Sequence, residues 1–132
     1  MAHYRILVAD DYPSAAQITC TLLTMLGHEC RAVECGARAL EEAQTFRPDV
    51  AILDIGLPDI SGYDVARQLR STFGAKVFLA AVTGWGQPQD RKLAFAAGFD
   101  HHVLKPADAG KLREILRRVD QSHRNERASD PS

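Results

Sequence analysis

Short unbroken apolar runs alternate along the chain with longer stretches in which apolar residues return every three or four positions. Ile6-Leu7-Val8-Ala9 and Val50-Ala51-Ile52-Leu53 are too short for helices and read as strands; segments 28–33, 76–82 and 101–104 complete a set of five. Between them lie the helical patterns. Ala15, Ile18, Leu22 and Leu26, with Thr19 and Leu23 beside them, predict a first helix that Gly27 stops. A second covers 36–44 with Ala39, Leu40 and Ala43 inward, and a third runs to about 72 through Val65, Ala66 and Leu69. A fourth covers 90–97, ended by Gly98, and the last begins near Asp108 with Leu112, Ile115, Leu116 and Val119 on one side. Strands alternating with helices imply a parallel, doubly wound α/β sheet, because parallel neighbours need crossover connections and helices supply them.

In such a sheet all strands end on one edge, and the residues just past the five ends are therefore brought together. Asp10-Asp11 follow the first strand, Asp54 the third, Thr83 the fourth and Lys105-Pro106 the fifth. Asp54 terminates a run with no polar residue in it, where a carboxylate is costly unless donors, water or a cation stand beside it. Taken singly, an Asp before a helix caps it, a Thr does the same and a Lys is a solvated charge. Their coincidence on one edge favours a site.

With 132 residues and 45% hydrophobic content, the chain suits one globular domain, placed at 1–121, with a polar C-terminal tail over 122–132. A net charge of −1 supplies no basic field, so nucleic acid is not expected as a direct partner. Cys20, Cys30 and Cys35 are odd in number and lack metal or redox spacing, which predicts reduced thiols, Cys20 as a small buried hydrophobe, and a cytoplasmic location. No segment reaches membrane-spanning length. Adjacent His101 and His102 point to opposite faces of a strand and cannot share one ion.

Three converging carboxylates repel one another, and a hard divalent cation relieves the repulsion. Oxygen ligands with retained waters suit Mg²⁺. Thr83 and Lys105 then offer a hydroxyl and a compact positive charge to the oxygens of a phosphoryl group, and Asp54 becomes a nucleophile that forms an aspartyl phosphate.

This ordered set resembles the receiver domain of two-component response regulators over roughly 4–119. The resemblance implies a flavodoxin-like fold with strand order 2-1-3-4-5 and phosphorylation at Asp54 by a histidine kinase or histidine phosphotransfer protein. It also implies Mg²⁺ held by Asp11, Asp54 and the Gly56 carbonyl, with Asp10 acting through a water, and a cis Lys105-Pro106 bond. Gly84 would leave room for the phosphoryl group. Thr83 would move toward that group and draw inward the residue three before the lysine, here His102 rather than a Tyr or Phe, which predicts a weaker or pH-sensitive switch. Trp85 would border the path of attacking water and slow loss of the phosphoryl group. Output would use the face of the fourth helix, fifth strand and fifth helix. The runs around Thr83-Gly84-Trp85 and Gly98-Phe99-Asp100 resemble receivers appended to hybrid histidine kinases.

Beyond accepting and losing its own phosphoryl group, such a domain is not expected to be an enzyme. A Mg²⁺-dependent aspartyl-phosphate phosphatase of the dehalogenase type wants a second aspartate two residues after the nucleophile, where Gly56 stands. A nucleotide-binding module lacks its glycine-rich loop. An unphosphorylated pseudo-receiver would not need the acidic pair, Thr83 and Lys105.

Overall fold

The computed structural model describes residues 3–84 and 88–129, the side chains of Pro88 and of 124–129 excepted. Its elements are β1 (Arg5–Ala9), α1 (Pro13–Met25), β2 (Glu29–Val33), α2 (Gly36–Phe46), β3 (Val50–Asp54), α3 (Gly62–Phe73), a 3-10 turn (Gly74–Lys76), β4 (Phe78–Thr83), α4 (Pro88–Ala96), β5 (His101–Leu104) and α5 (Ala109–Ser129). The strands are parallel in the order β2-β1-β3-β4-β5. This is the flavodoxin-like order implied by the resemblance.

The period of two along each strand divides the core. Ile6, Val8, Ile52 and Val82 face α1 and α5, packing on Ala16, Leu23, Leu112, Ile115 and Val119. Leu7, Leu53, Leu79 and Ala81 face the opposite way, onto Ala39, Ala43, Val65, Leu69 and Ala94 of α2, α3 and α4. The α4 side of the sheet is fastened by Arg70 of α3. Its guanidinium donates to the Gly74, Val77 and Gly98 carbonyls and pairs with Asp100, whose carboxylate also accepts from the Leu79 N–H.

Three sequence expectations are corrected here. The inward stripe of α1 is Ala16, Cys20 and Leu23, and Ile18 is exposed. Small residues at 16 and 20 let the helix approach the sheet closely, which the hydropathy of Ile18 does not reveal. Cys20 and Cys30 are not separate thiols but form a disulfide, with Cα atoms 5.4 Å apart; Cys35 is free. Because α1 reverses at Gly27, where φ is +96°, and β2 returns beneath it, positions ten apart in sequence meet. Finally, α5 continues to Ser129, past the point where the sequence turns polar, since Gln, Arg, Glu and Ala are favourable helix residues.

Candidate functional site

Every residue of β3 is buried, and Asp54 at its end is 5% exposed. Its two oxygens have different partners. Oδ1 accepts the Gly56 N–H at 2.9 Å, and Oδ2 accepts the Lys105 Nζ at 2.7 Å. Lys105 is placed by β5: its own N–H donates to the Thr83 carbonyl at 2.8 Å, and the bond to Pro106 is cis. A buried carboxylate satisfied by one amide and one ammonium is paired without being enclosed, because Lys105 remains partly exposed.

Asp10 and Asp11 come from the tip of β1. The Asp10 N–H bonds to the Val33 carbonyl and its Oδ1 accepts the Tyr12 N–H at 2.9 Å, so the turn into α1 is fastened at both ends. One carboxylate oxygen from each of Asp10, Asp11 and Asp54 lies within 4.8 Å of the others. Burial pushes the Asp10 carboxyl above its usual value; the Tyr12 N–H and Lys105 oppose this, while Asp54 and Asp11 add repulsion. Burial alone would lower the Lys105 ammonium, but its hydrogen bond to Asp54 and the charges of Asp54, Asp10 and Asp11 outweigh that and hold it above its usual value. Three crowded hard oxygen donors, one of them protonating more readily than usual, are a fitting set for a small divalent cation such as Mg²⁺.

The remaining predicted residues take their places around this core. Thr83 is buried at the end of β4, one residue past the Val82 that pairs with Asp54. Gly84 is exposed, and an added Cβ there meets no described atom within 4 Å. His102 pairs with Ala81 on the sheet face that packs against α4, the face Thr83 shares two residues on. It is 6% exposed and its Nε2 has no hydrogen-bond partner among the described residues. Burial, then the charge of Arg91, holds His102 below the ordinary histidine pKa, against a smaller pull from Asp90. Next to it, Arg91, His101, Leu104, Lys111 and Glu114 line a cleft of about 350 Å³ on the face of α4, β5 and α5. Trp85 lies outside the described residues.

Two supports of the site escaped the sequence reading. Gly62 opens α3 directly against the end of β3: a Cβ there would fall 2.5 Å from the Asp54 carbonyl oxygen and 2.7 Å from Ile55 Cα. Glycine is required by that approach. Asp59 accepts the N–H groups of Gly36 and Ala37 at 2.7 and 2.9 Å, capping α2 from 23 and 22 residues away, and those bonds hold its pKa at about 2. Local capping patterns contain no trace of a cap supplied from another loop.

The family model described as response regulator receiver domain matches residues 6–117. The DNA-binding response regulator MtrA of Mycolicibacterium smegmatis is 35% identical over 115 residues, covering 87% of this chain and 48% of that protein. The transcriptional regulatory protein KdpE of Mycobacterium tuberculosis is 37% identical over 117 residues, covering 86% and 51%. The chain thus spans about half the length of these curated relatives. A CheY-like receiver domain protein from Methanospirillum hungatei superposes with a TM-score of 0.86 at 22% identity, covering 94% of this chain and 99% of that one, which speaks for the fold. MtrA, a DNA-binding response regulator, overturns the expectation that nucleic acid is not a direct partner. Net charge described only the stretch that carries it and had no bearing on any DNA-binding part of a longer protein. Among the described residues no helix is long and apolar enough to cross a membrane.

Proposed function

Because the chain belongs to the response regulator receiver domain family and so to phosphorelay signalling, we propose that it takes a phosphoryl group from a phosphohistidine of a histidine kinase or phosphotransfer protein onto Asp54. The observation that carries this reading is the buried Asp54 carboxylate, bonded to Lys105 at 2.7 Å and crowded by Asp10 and Asp11. In the transfer, an Asp54 oxygen forms a bond to phosphorus as the phosphorus–nitrogen bond of the donor breaks, its electron pair returning to the imidazole.

The chain's own groups orient that exchange. The Gly56 N–H holds Oδ1, which fixes the plane of the carboxylate and leaves the Oδ2 side to be served by Lys105. As phosphoryl oxygens arrive, Lys105 shifts its donation from Oδ2 to one of them, and the Thr83 hydroxyl serves another beside Gly84. Asp11 and Asp54 with the Gly56 carbonyl would hold Mg²⁺, and Asp10 would act through a water. Bound there, the ion would neutralise the carboxylates and the incoming phosphoryl oxygens. Movement of Thr83 then frees space in front of His102, and the cleft beside α4, β5 and α5 carries the change to a partner. Trp85 would limit the approach of attacking water. The domain works in the cytoplasm and turns over no substrate beyond its own phosphoryl group. In a protein built like MtrA, this domain would control a DNA-binding part lying outside it.

Metal dependence tests the reading. With acetyl phosphate as donor, Mg²⁺ should permit one phosphoryl group per chain, labile to hydroxylamine as an acyl phosphate is, and chelation should abolish it. Equal labelling with and without the ion would contradict the proposal.

A further inference from the structure

The disulfide between Cys20 and Cys30 ties the middle of α1 to β2, which is an edge strand of the sheet. Its position is set by bonds that do not involve sulfur. Leu26 and Gly27 close the end of α1 on the Leu22, Leu23 and Thr24 carbonyls, His28 N–H bonds to the Leu23 carbonyl, and Glu29 N–H bonds to the carbonyl of Tyr4, just before β1. β2 is then held along its length by its pairing with β1, from Arg5–Glu29 to Ala9–Val33. The two cysteines therefore face each other at 5.4 Å between Cα atoms on a backbone fixed independently of them, within the span a disulfide requires. Both are only half-buried, so a small thiol or disulfide can reach them. Cys35, beyond the end of β2, belongs to neither element and is free.

From this placement we propose that Cys20 and Cys30 form a reversible thiol–disulfide clasp, opened and closed by exchange with small thiols and disulfides of the glutathione class. Closing takes two exchanges. One cysteine thiolate attacks a sulfur of the oxidised small disulfide, forming a mixed disulfide and releasing one small thiolate; the second cysteine thiolate attacks the protein sulfur of that mixed disulfide and releases the other. The protein dithiol gives up two electrons and two protons, and the small disulfide becomes two thiols. Because the open form keeps the same backbone contacts, closure requires no refolding.

The clasp acts on stability. It closes a loop between residues ten apart, which removes freedom from the unfolded chain and should raise Tm by roughly 8–12 °C over the dithiol form. It also acts on α1. That helix begins two residues after Asp11, and its first turn is bonded through Tyr12 to Asp10.

The test is a glutathione titration of the whole chain, read by alkylation and peptide mass, beside thermal unfolding of each end state. The expected result is one two-electron transition within mixtures spanning a reducing cytosol to an oxidising lumen, a Cys20–Cys30 linked peptide, and an alkylated Cys35. The Tm shift should vanish in Cys20→Ser and in Cys30→Ser and persist in Cys35→Ser. Should either single variant fail to fold, the parent titration with Cys35→Ser decides alone. A pair that never closes, or never opens, across those mixtures would overturn the proposal. So would a linked peptide containing Cys35, a disulfide between chains, or equal Tm for the two forms of the parent.

Discussion

Lys105 and a metal ion bound at the acidic cluster would compete for the same carboxylate. The ammonium occupies Asp54 Oδ2 at 2.7 Å, and Asp10 and Asp11 stand close enough to feel the same positive charge. Removing it leaves the three carboxylates without that charge. Lys105→Met should therefore bind Mg²⁺ several-fold more tightly by calorimetry while accepting phosphoryl groups more slowly, because the charge that receives them is gone. Weaker Mg²⁺ binding in the variant would contradict this. The pH sense of the cluster follows from Asp10. Its folded pKa lies above the unfolded 3.8, so its contribution to stability is full below 3.8 and is lost as pH rises through the folded value. At neutral pH the metal-free cluster is under repulsion. Asp54, Asp10, Asp11, Thr83 and Lys105 were legible in the sequence because each follows directly on an apolar run. Gly62 and Asp59 were not, since their partners lie elsewhere in the chain and a glycine's close approach has no local signature.

At the scale of elements, the site depends on how α3 begins. The Ser61 hydroxyl caps that helix by accepting the Tyr63 N–H, and the Gly62 N–H bonds to the Ile55 carbonyl. That closes the β3–α3 loop under Asp54. Gly62→Ala places a methyl group where the Asp54 carbonyl oxygen already stands, so the loop or the strand end must shift. A cost of about 1–3 kcal/mol in urea unfolding, with weakened Mg²⁺ binding, is expected; unchanged stability and affinity would show that the approach is not required. The element order was readable from period alone, since apolar runs and helical stripes do not overlap. The face of α1 was not, because Ala16 and Cys20 bury as small residues while Ile18 does not. The disulfide escaped for a related reason: a pairing ten residues apart arises from how α1 and β2 stack, which no spacing rule encodes.

Over the whole molecule, the sheet connects the acidic edge to the cleft of α4, β5 and α5 through Thr83 and His102, which share one face. His102 is held below the ordinary histidine pKa of 6.5, so the stability it contributes is present above 6.5 and lost as pH falls from there toward the folded value. A charged imidazole whose Nε2 has no partner among the described residues does not stay buried. In the parent, amide shifts of α4 and β5 on phosphorylation should therefore change between about pH 7.5 and pH 5.5, while His102→Tyr gives the same response at both. Identical responses in the two proteins would remove the pH-sensitive switch. Position 102 was visible in the sequence only through family resemblance, because a histidine on a short strand is unremarkable by composition. At the opposite end, His28 accepts the Tyr4 N–H on Nδ1 and stacks against His3 and Tyr4, an arrangement the sequence did not suggest.

In the proposed transfer Asp54 itself carries the phosphoryl group. The most direct measurement is the intact mass of the parent and of Asp54→Asn, incubated side by side with Mg²⁺ and acetyl phosphate and quenched together. A mass increase of one phosphoryl group is expected on the parent and none on the variant, with both folded by circular dichroism. A variant that gains the group as the parent does would place the acceptor elsewhere and contradict it.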